Sequence, residues 1–251
     1  MVLYLVGLGL GNEKDITVKG FELAKKADVI YLENYTSLLQ CSLADLEKFL
    51  GRTISLAQRI DVEQEQNVIL EEAKTKKVAL LVVGDPMGAT THIDLMLRAK
   101  KENIQFQIIH NASIINAIGI VGLQLYKFGK ITSIPFSQEN FKPETPYEVL
   151  KTNKKNDMHT LFLLDLRPEE NKYMTVNQAL EYLLYLEKKK KQKILSENTI
   201  AIGCARIGSD NFIKVGKIKE LLKMDFGNPP HCLIIPAKMH FMEEEALALW
   251  K

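Results

Sequence analysis

A chain of 251 residues that is 46% hydrophobic can bury roughly 70% of the surface its unfolded form would expose, which excludes a disordered polypeptide. Its 33 basic and 31 acidic residues leave a formal net charge of +2, too balanced for the electrostatic footprint of a nucleic-acid binder, so a small molecule or a folded protein is the expected partner. Cys41, Cys204 and Cys232 are odd in number and lack C-x-x-C spacing, which argues against a disulfide framework and a zinc site and leaves them as small buried apolar residues.

Along the chain, short β-branched runs read as strands at 2–6, 29–32, 78–83 and 106–109. Helical patterns lie among them at 17–27, 42–50, 63–76 and 91–101. Strand and helix alternate, which is the signature of an α/β unit with a mainly parallel sheet. The second half continues with a helix at 114–123, strands at 131–134 and 160–164, and a helix at 175–190. Strands at 199–203 and 212–215 follow, then a helix at 217–223 and a strand at 233–235. The close pair near 200 and 213 is expected to be antiparallel, which makes this sheet mixed. No apolar run approaches the roughly 18 residues of a membrane span and no basic leader precedes the apolar stretch 2–10, so the cytoplasm is the expected location.

Gly7-Leu8-Gly9-Leu10-Gly11 follows the first strand directly. Glycines there permit a tight turn and let a ligand approach the backbone. A plain strand-to-helix turn and a ligand site both remain open. For a dinucleotide site, Glu33 ends the second strand where a ribose-binding acid belongs. Against it, Asn12 stands where the G-x-G-x-x-G spacing needs glycine, and the helix starts only after Asp15, too late to aim its N-terminus at a pyrophosphate in the usual way. A second loop, residues 83–91, also sits at the carboxyl end of an apolar strand, where ligands of open α/β sheets gather. Asp85 in it is a hydrogen-bond acceptor for a ribose hydroxyl or an amine, or else it opens an ordinary Asp-Pro turn before a helix capped by Thr90 or Thr91.

Gly7-x-Gly-x-Gly, Asp15-Ile16-Thr17-Val18-Lys19-Gly20 and Gly84-Asp85-Pro86 together resemble the tetrapyrrole methylases. Four further stretches resemble the diphthine synthase family within that class: Ala89-Thr90-Thr91-His92, His110-Asn111-Ala112-Ser113-Ile114, Tyr126-Lys127-Phe128-Gly129-Lys130 and the segment 225–240. The resemblance implies a two-lobed α/β fold, with lobes at 1–112 and 113–251 and S-adenosylmethionine bound in the cleft between them. It also implies a homodimer, and as substrate the amino-carboxypropyl-histidine intermediate of translation elongation factor 2 in diphthamide biosynthesis. Carried over by motif, the cofactor contacts fall on Leu10, Asp85, Gly88, Ser113, Ile114, Leu164, Ala205 and His231, several of which offer only backbone groups. Methylation of a tetrapyrrole or another small molecule, or an NAD-dependent dehydrogenase, are the alternatives.

Gly88 stands where the family pattern leads one to expect a larger residue, and Ala237 where it leads one to expect glycine. Methyl transfer from a sulfonium needs positioning rather than a nucleophile, so no catalytic base is assigned. Asp165 and His231 are the residues that could take a proton, Asp165 reading equally as an ion-pair partner of Arg167. His92, His110 and His240 lack metal-ligand spacing and read as structural or capping, and the lysines at 188–191 read as the solvated end of a helix.

Overall fold

Leucine-rich and β-branched runs, punctuated by well-capped helices, build a five-stranded sheet in each of two units. The computed structural model describes residues 1–33, 35–63, 67–88, 92–137 and 142–251. One unit is Met1–Ala117 with Gly208–Asp210, and the other is Ile118–Ile207 with Asn211–Lys251.

The first unit runs β1 (Val2–Gly7), α1 (Val18–Lys26), β2 (Val29–Glu33), α2 (Leu43–Leu50), β3 (Ser55–Ala57), α3 (Arg59–Glu63), α4 (Val68–Ala73), β4 (Lys77–Val82), α5 (His92–Lys101), β5 (Gln105–Ile109) and α6 (Ile114–Ala117). Among the described residues, five strands form a parallel sheet in the order β3-β2-β4-β1-β5. Alternation along β1 and β4 sends Leu3, Leu5, Val78, Leu80 and Val82 to one face, where they pack with Ile69, Leu70, Leu95 and Ala99 of α4 and α5. Val6, Ala79 and Leu81 go to the other, with Ala24, Leu46 and Leu50 of α1 and α2. Burying each such side chain contributes about 1.5–3 kcal/mol, and burial on both faces is why these strands read as continuous apolar runs.

Local chemistry sets the helix ends. The Thr17 hydroxyl accepts the Gly20 N–H at 3.1 Å, Ser42 and Asp45 form a reciprocal capping box, and Gly51 closes α2 in the left-handed conformation. Of the helix expected over 63–76, the described residues show α4, Val68–Ala73. Asn67, 1% exposed, caps α4 with its Oδ1 and donates from Nδ2 to the Val62 carbonyl, so a capping side chain rather than the apolar period sets where that helix begins. The short strand β3 was not foreseen. Thr90 and Thr91, the expected caps of α5, lie outside the described residues.

The second unit runs β6 (Thr132–Ile134), α7 (Thr145–Lys155), β7 (Thr160–Leu164), β8 (Leu166–Arg167), β9 (Lys172–Tyr173), α8 (Val176–Lys190), β10 (Ile200–Ala205), β11 (Phe212–Lys217), α9 (Ile218–Leu221), β12 (His231–Ile235) and α10 (Phe241–Leu247). Its larger sheet has the order β11-β10-β12-β7-β6, parallel only between β6 and β7. Tyr147 and Leu150 of α7 and Val176, Leu180 and Leu183 of α8 pack on Phe162 and Leu233. The expected helix at 114–123 stops at Ala117 and passes into a 3₁₀ turn, Ile118–Val121, before Gly122 takes φ 93°. Glycine's freedom there ends the helix. Neither α7, with its lysines and asparagines, nor the acidic α10 was foreseen. Cys204 and Cys232 are buried and paired across β10 and β12, whereas Cys41 is partly exposed, not buried as expected. Among the described residues no helix is long and apolar enough to cross a membrane.

Candidate functional site

The carboxyl ends of β4, β1 and β5, three neighbours in the first sheet, open into loops that their own backbones tie together. Gly9 N–H donates to the Gly84 carbonyl at 3.2 Å and Gly84 N–H to the Gly9 carbonyl at 2.7 Å. Both glycines are left-handed, with φ 79° and 84°, a region that other residues enter only at a cost. Gly7 is glycine for a different reason, since a Cβ there would lie 2.7 Å from the Gly84 carbonyl oxygen and 2.8 Å from Asn111 Cβ. Asn111, just beyond β5, donates from Nδ2 to the Gly7 carbonyl at 3.0 Å and to the Asp15 carbonyl at 2.9 Å. Asp15 in turn accepts the Gly11 N–H at 2.8 Å.

Asp85 stands at the centre of this platform. Its Oδ1 accepts the Met87 N–H at 2.8 Å, and its Oδ2 accepts the Asn111 N–H and lies 2.9 Å from His110 Nδ1. Burial alone would raise its pKa, but the two backbone donors and His110 outweigh burial and hold the carboxyl below the usual aspartate value. An ionised carboxylate has about four acceptor sites, so Asp85 organises the loop and retains capacity for a ligand donor.

The other first-unit candidates crowd the same place. A Cβ on Gly84 would sit 3.7 Å from Leu10 Cδ2 and 3.9 Å from Ser113 Cα, and a Cβ on Gly88 only 2.9 Å from Ser113 Cβ. That last contact gives the departure at Gly88 a packing reason, because Ser113 fills the space a larger residue would need. Ser113 N–H is held by Asn116 Oδ1 at 2.8 Å, and Ile114 opens α6. Glu33, by contrast, is 3% exposed. Its Oε2 lies 2.7 Å from His92 Nε2 and its Oε1 accepts the Thr36 N–H and hydroxyl. A carboxylate so occupied does not present itself to a ribose, and the first regular helix begins only at Val18. The dinucleotide reading loses its acid.

In the second unit, the register places the remaining three candidates side by side on one sheet edge. Ala205 pairs with His231, and Cys232 with Leu163, so Leu164 falls beside His231. His231 Nε2 donates to the Gly227 and Asn228 carbonyls at 3.1 and 3.2 Å. Burial, reinforced by Arg206 and opposed by those carbonyls, keeps its pKa below the ordinary histidine value. Its Nδ1 is therefore a neutral acceptor, buried and without a hydrogen-bond partner among the described residues. Arg206, left-handed at φ 52°, donates to the Phe226 and Asn228 carbonyls and pins the loop that carries His231. Asp165 accepts the Phe136 N–H at 2.9 Å and lies 3.9 Å from Arg167 Nε, which is a structural role.

The first unit offers a glycine-backed cradle and one ionised carboxylate, and the second a buried imidazole acceptor. Among the described residues no group of three or more His, Cys, Asp or Glu side chains is arranged to hold a metal ion. A model of the Tetrapyrrole (Corrin/Porphyrin) Methylases matches residues 2–222. The chain belongs to that family. Among tetrapyrrole methylases it is 51% identical over 250 residues to a diphthine synthase of Methanocaldococcus jannaschii, covering 98% of this chain and 97% of the relative. It is 48% identical over 263 residues to a diphthine methyl ester synthase of Dictyostelium discoideum, covering 98% and 96%. A crystal structure from Entamoeba histolytica, 48% identical, superposes with a TM-score of 0.93 over 100% of this chain and 98% of that one. Reading the sequence missed Asn111 and Asp15 as loop ties in the first unit and Arg206 as the pin behind His231 in the second. A short polar side chain just past the end of a strand was the signal at Asn111; Arg206 left none, since its left-handed backbone is visible only in three dimensions.

Proposed function

We propose that this tetrapyrrole methylase is an S-adenosylmethionine-dependent methyltransferase that methylates the amino-carboxypropyl-histidine intermediate on translation elongation factor 2 in diphthamide biosynthesis, acting in the cytoplasm as a homodimer. The observation that carries the reading is the identity to diphthine synthases over nearly the whole chain. The site residues fit the cofactor. The orphaned His231 Nδ1 is the acceptor an exocyclic amine requires, and the glycines around Gly7, Gly84 and Gly88 leave backbone accessible where side chains would intrude. In this reading Leu10, Asp85, Gly88, Ser113 and Ile114 of the first unit and Leu164, Ala205 and His231 of the second contact S-adenosylmethionine, Asp85 through a hydroxyl or amine hydrogen.

When bound, the sulfonium supplies a methyl group already activated for displacement. The chain's task is to exclude water and to hold the acceptor nitrogen about 3 Å from that carbon, in line with the breaking bond. The acceptor amine must be neutral, and burial lowers an amine's pKa without a dedicated base. Incubation with labelled S-adenosylmethionine and elongation factor 2 from cells blocked at this step should label the factor, while a precorrin-type tetrapyrrole stays unlabelled. Label on the tetrapyrrole alone overturns the substrate and leaves the methyltransferase. Product mass separates methylation of the amine from further esterification of the carboxylate. A melting-temperature rise with S-adenosylhomocysteine and none with NADH is the expected binding result.

A further inference from the structure

Glu33 ends β2 and His92 opens α5, and their side chains are 1% and 0% exposed. His92 Nδ1 lies 2.9 Å from the Pro86 carbonyl oxygen. A carbonyl only accepts, so Nδ1 carries a hydrogen. On the other side of the ring, Nε2 faces Glu33 Oε2 at 2.7 Å. The two atoms are in close polar contact rather than in an aligned hydrogen bond. Glu33 Oε1 is meanwhile occupied by the Thr36 N–H and hydroxyl. A chain of polar contacts thus runs from the end of β2, through the imidazole, to the backbone of the residue next to Asp85.

Such a pair adds little net stability over well-packed apolar residues of the same volume, because both groups are taken out of water. What it provides is direction. The imidazole fixes where the Pro86 carbonyl points, and so where the peptide between Pro86 and Met87 lies, whose N–H is the one that Asp85 Oδ1 accepts. Asp85 then receives the Met87 and Asn111 N–H groups at 2.8 and 2.9 Å. We propose that Glu33 and His92 are positioning residues that hold the Asp85 loop in its cofactor-binding conformation before the cofactor arrives. The proposal rests on the reading of that loop as part of the S-adenosylmethionine site.

Two substitutions separate hydrogen bonding from volume. In Glu33→Gln a polar amide N–H still faces His92 Nε2, and the amide oxygen still accepts from Thr36. In Glu33→Leu the volume stays and the hydrogen bonds go. The measurements are hydrogen exchange of the Gly84, Asp85, Met87 and Gly88 amides in the ligand-free protein, calorimetric affinity for S-adenosylhomocysteine, and melting temperature. Wild type and Glu33→Gln should show protected loop amides and the same affinity. Glu33→Leu should exchange at least tenfold faster in that loop and bind at least tenfold more weakly. Wild-type exchange and affinity in a folded Glu33→Leu protein overturn the proposal, as does equal impairment of both variants. If Glu33→Leu does not fold, unprotected Met87 and Gly88 amides in the ligand-free wild type overturn it instead. Absence of S-adenosylhomocysteine binding by the wild type counts against the cofactor reading, while the exchange comparison still decides whether the pair holds the loop.

Discussion

In the second unit His159 meets Glu243 much as His92 meets Glu33 in the first, with all four side chains 0–1% exposed, yet the two imidazoles differ in what faces Nδ1. His159 Nδ1 accepts the Ala237 N–H at 3.0 Å, so its hydrogen sits on Nε2 and is donated to Glu243 Oε1 at 3.1 Å. That ring is neutral. Burial, helped by the Lys127 charge, holds its pKa below the ordinary 6.5 against the pull of Glu243. The charge balance falls to Lys127, whose Nζ lies 2.5 Å from Glu243 Oε2, while the Gln124 and His240 N–H groups complete the carboxylate's partners. These donors outweigh burial and hold the Glu243 carboxyl down at about 2. Glu243 is thus an ionised brace tying α10 to the segment 124–127, whereas Glu33 faces an imidazole that is bonded to the Asp85 loop. One backbone group, a donor in one case and a carbonyl in the other, turns the same two residue types to stability or to positioning.

Removing the brace should have the largest effect. Glu243→Ala leaves the buried His159 and the part-buried Lys127 ammonium, with the Gln124 and His240 N–H groups, without their acceptor, at a cost of about 3–5 kcal/mol, read as a lower denaturant midpoint. The folded fraction should keep its affinity for S-adenosylhomocysteine, and a loss of affinity without a loss of stability would erase the contrast between the units. On the first-unit side, Asp85→Ala should weaken S-adenosylhomocysteine by about 1.5–3 kcal/mol by calorimetry, because a charged acceptor for ligand and for the Met87 and Asn111 amides is gone. Wild-type affinity in the folded variant would remove Asp85 from the site.

Gly7→Ala should cost about 1–3 kcal/mol of stability in chemical denaturation, since its Cβ would press on the Gly84 carbonyl. The smallest expected effect is in the pH dependence. The unfolded chain takes up a proton at His159 more readily than the folded one, so stability should fall as pH drops below about 6.5. The Glu243 contribution, present above the ordinary glutamate value, is lost as pH falls towards about 2. His159→Gln, whose amide can accept from Ala237 and donate to Glu243, should flatten the slope between pH 7 and 5 by about 1 kcal/mol and leave the acid limb unchanged. An unchanged slope would mean that His159 is not the neutral member of the brace.

The residues at the strand ends were legible because each carries a strong local cause. Gly9 and Gly84 need a left-handed backbone, Asp85 precedes a proline, and β1 and β4 announce burial on both faces by uninterrupted apolar runs. The helices α7 and α10 were illegible because their lysine, asparagine and glutamate content reads as solvated chain. The docking of Tyr147 into the second core and the bonding of Glu243 to Lys127 and His159 tie them to the rest of the unit. Glu33 spoke for a dinucleotide site by its position alone, and its partner fifty-nine residues on could not be inferred from spacing.

By itself the sequence determined the α/β alternation, the parallel first sheet, the two glycine-bearing loops and the likeness to the tetrapyrrole methylases, since propensity, periodicity and backbone sterics act over a few residues. Tertiary structure alone decided which polar atoms meet. Whether an imidazole nitrogen donates or accepts, and whether a carboxylate serves a ligand or a loop, depends on a single group brought to about 3 Å from a distant part of the chain.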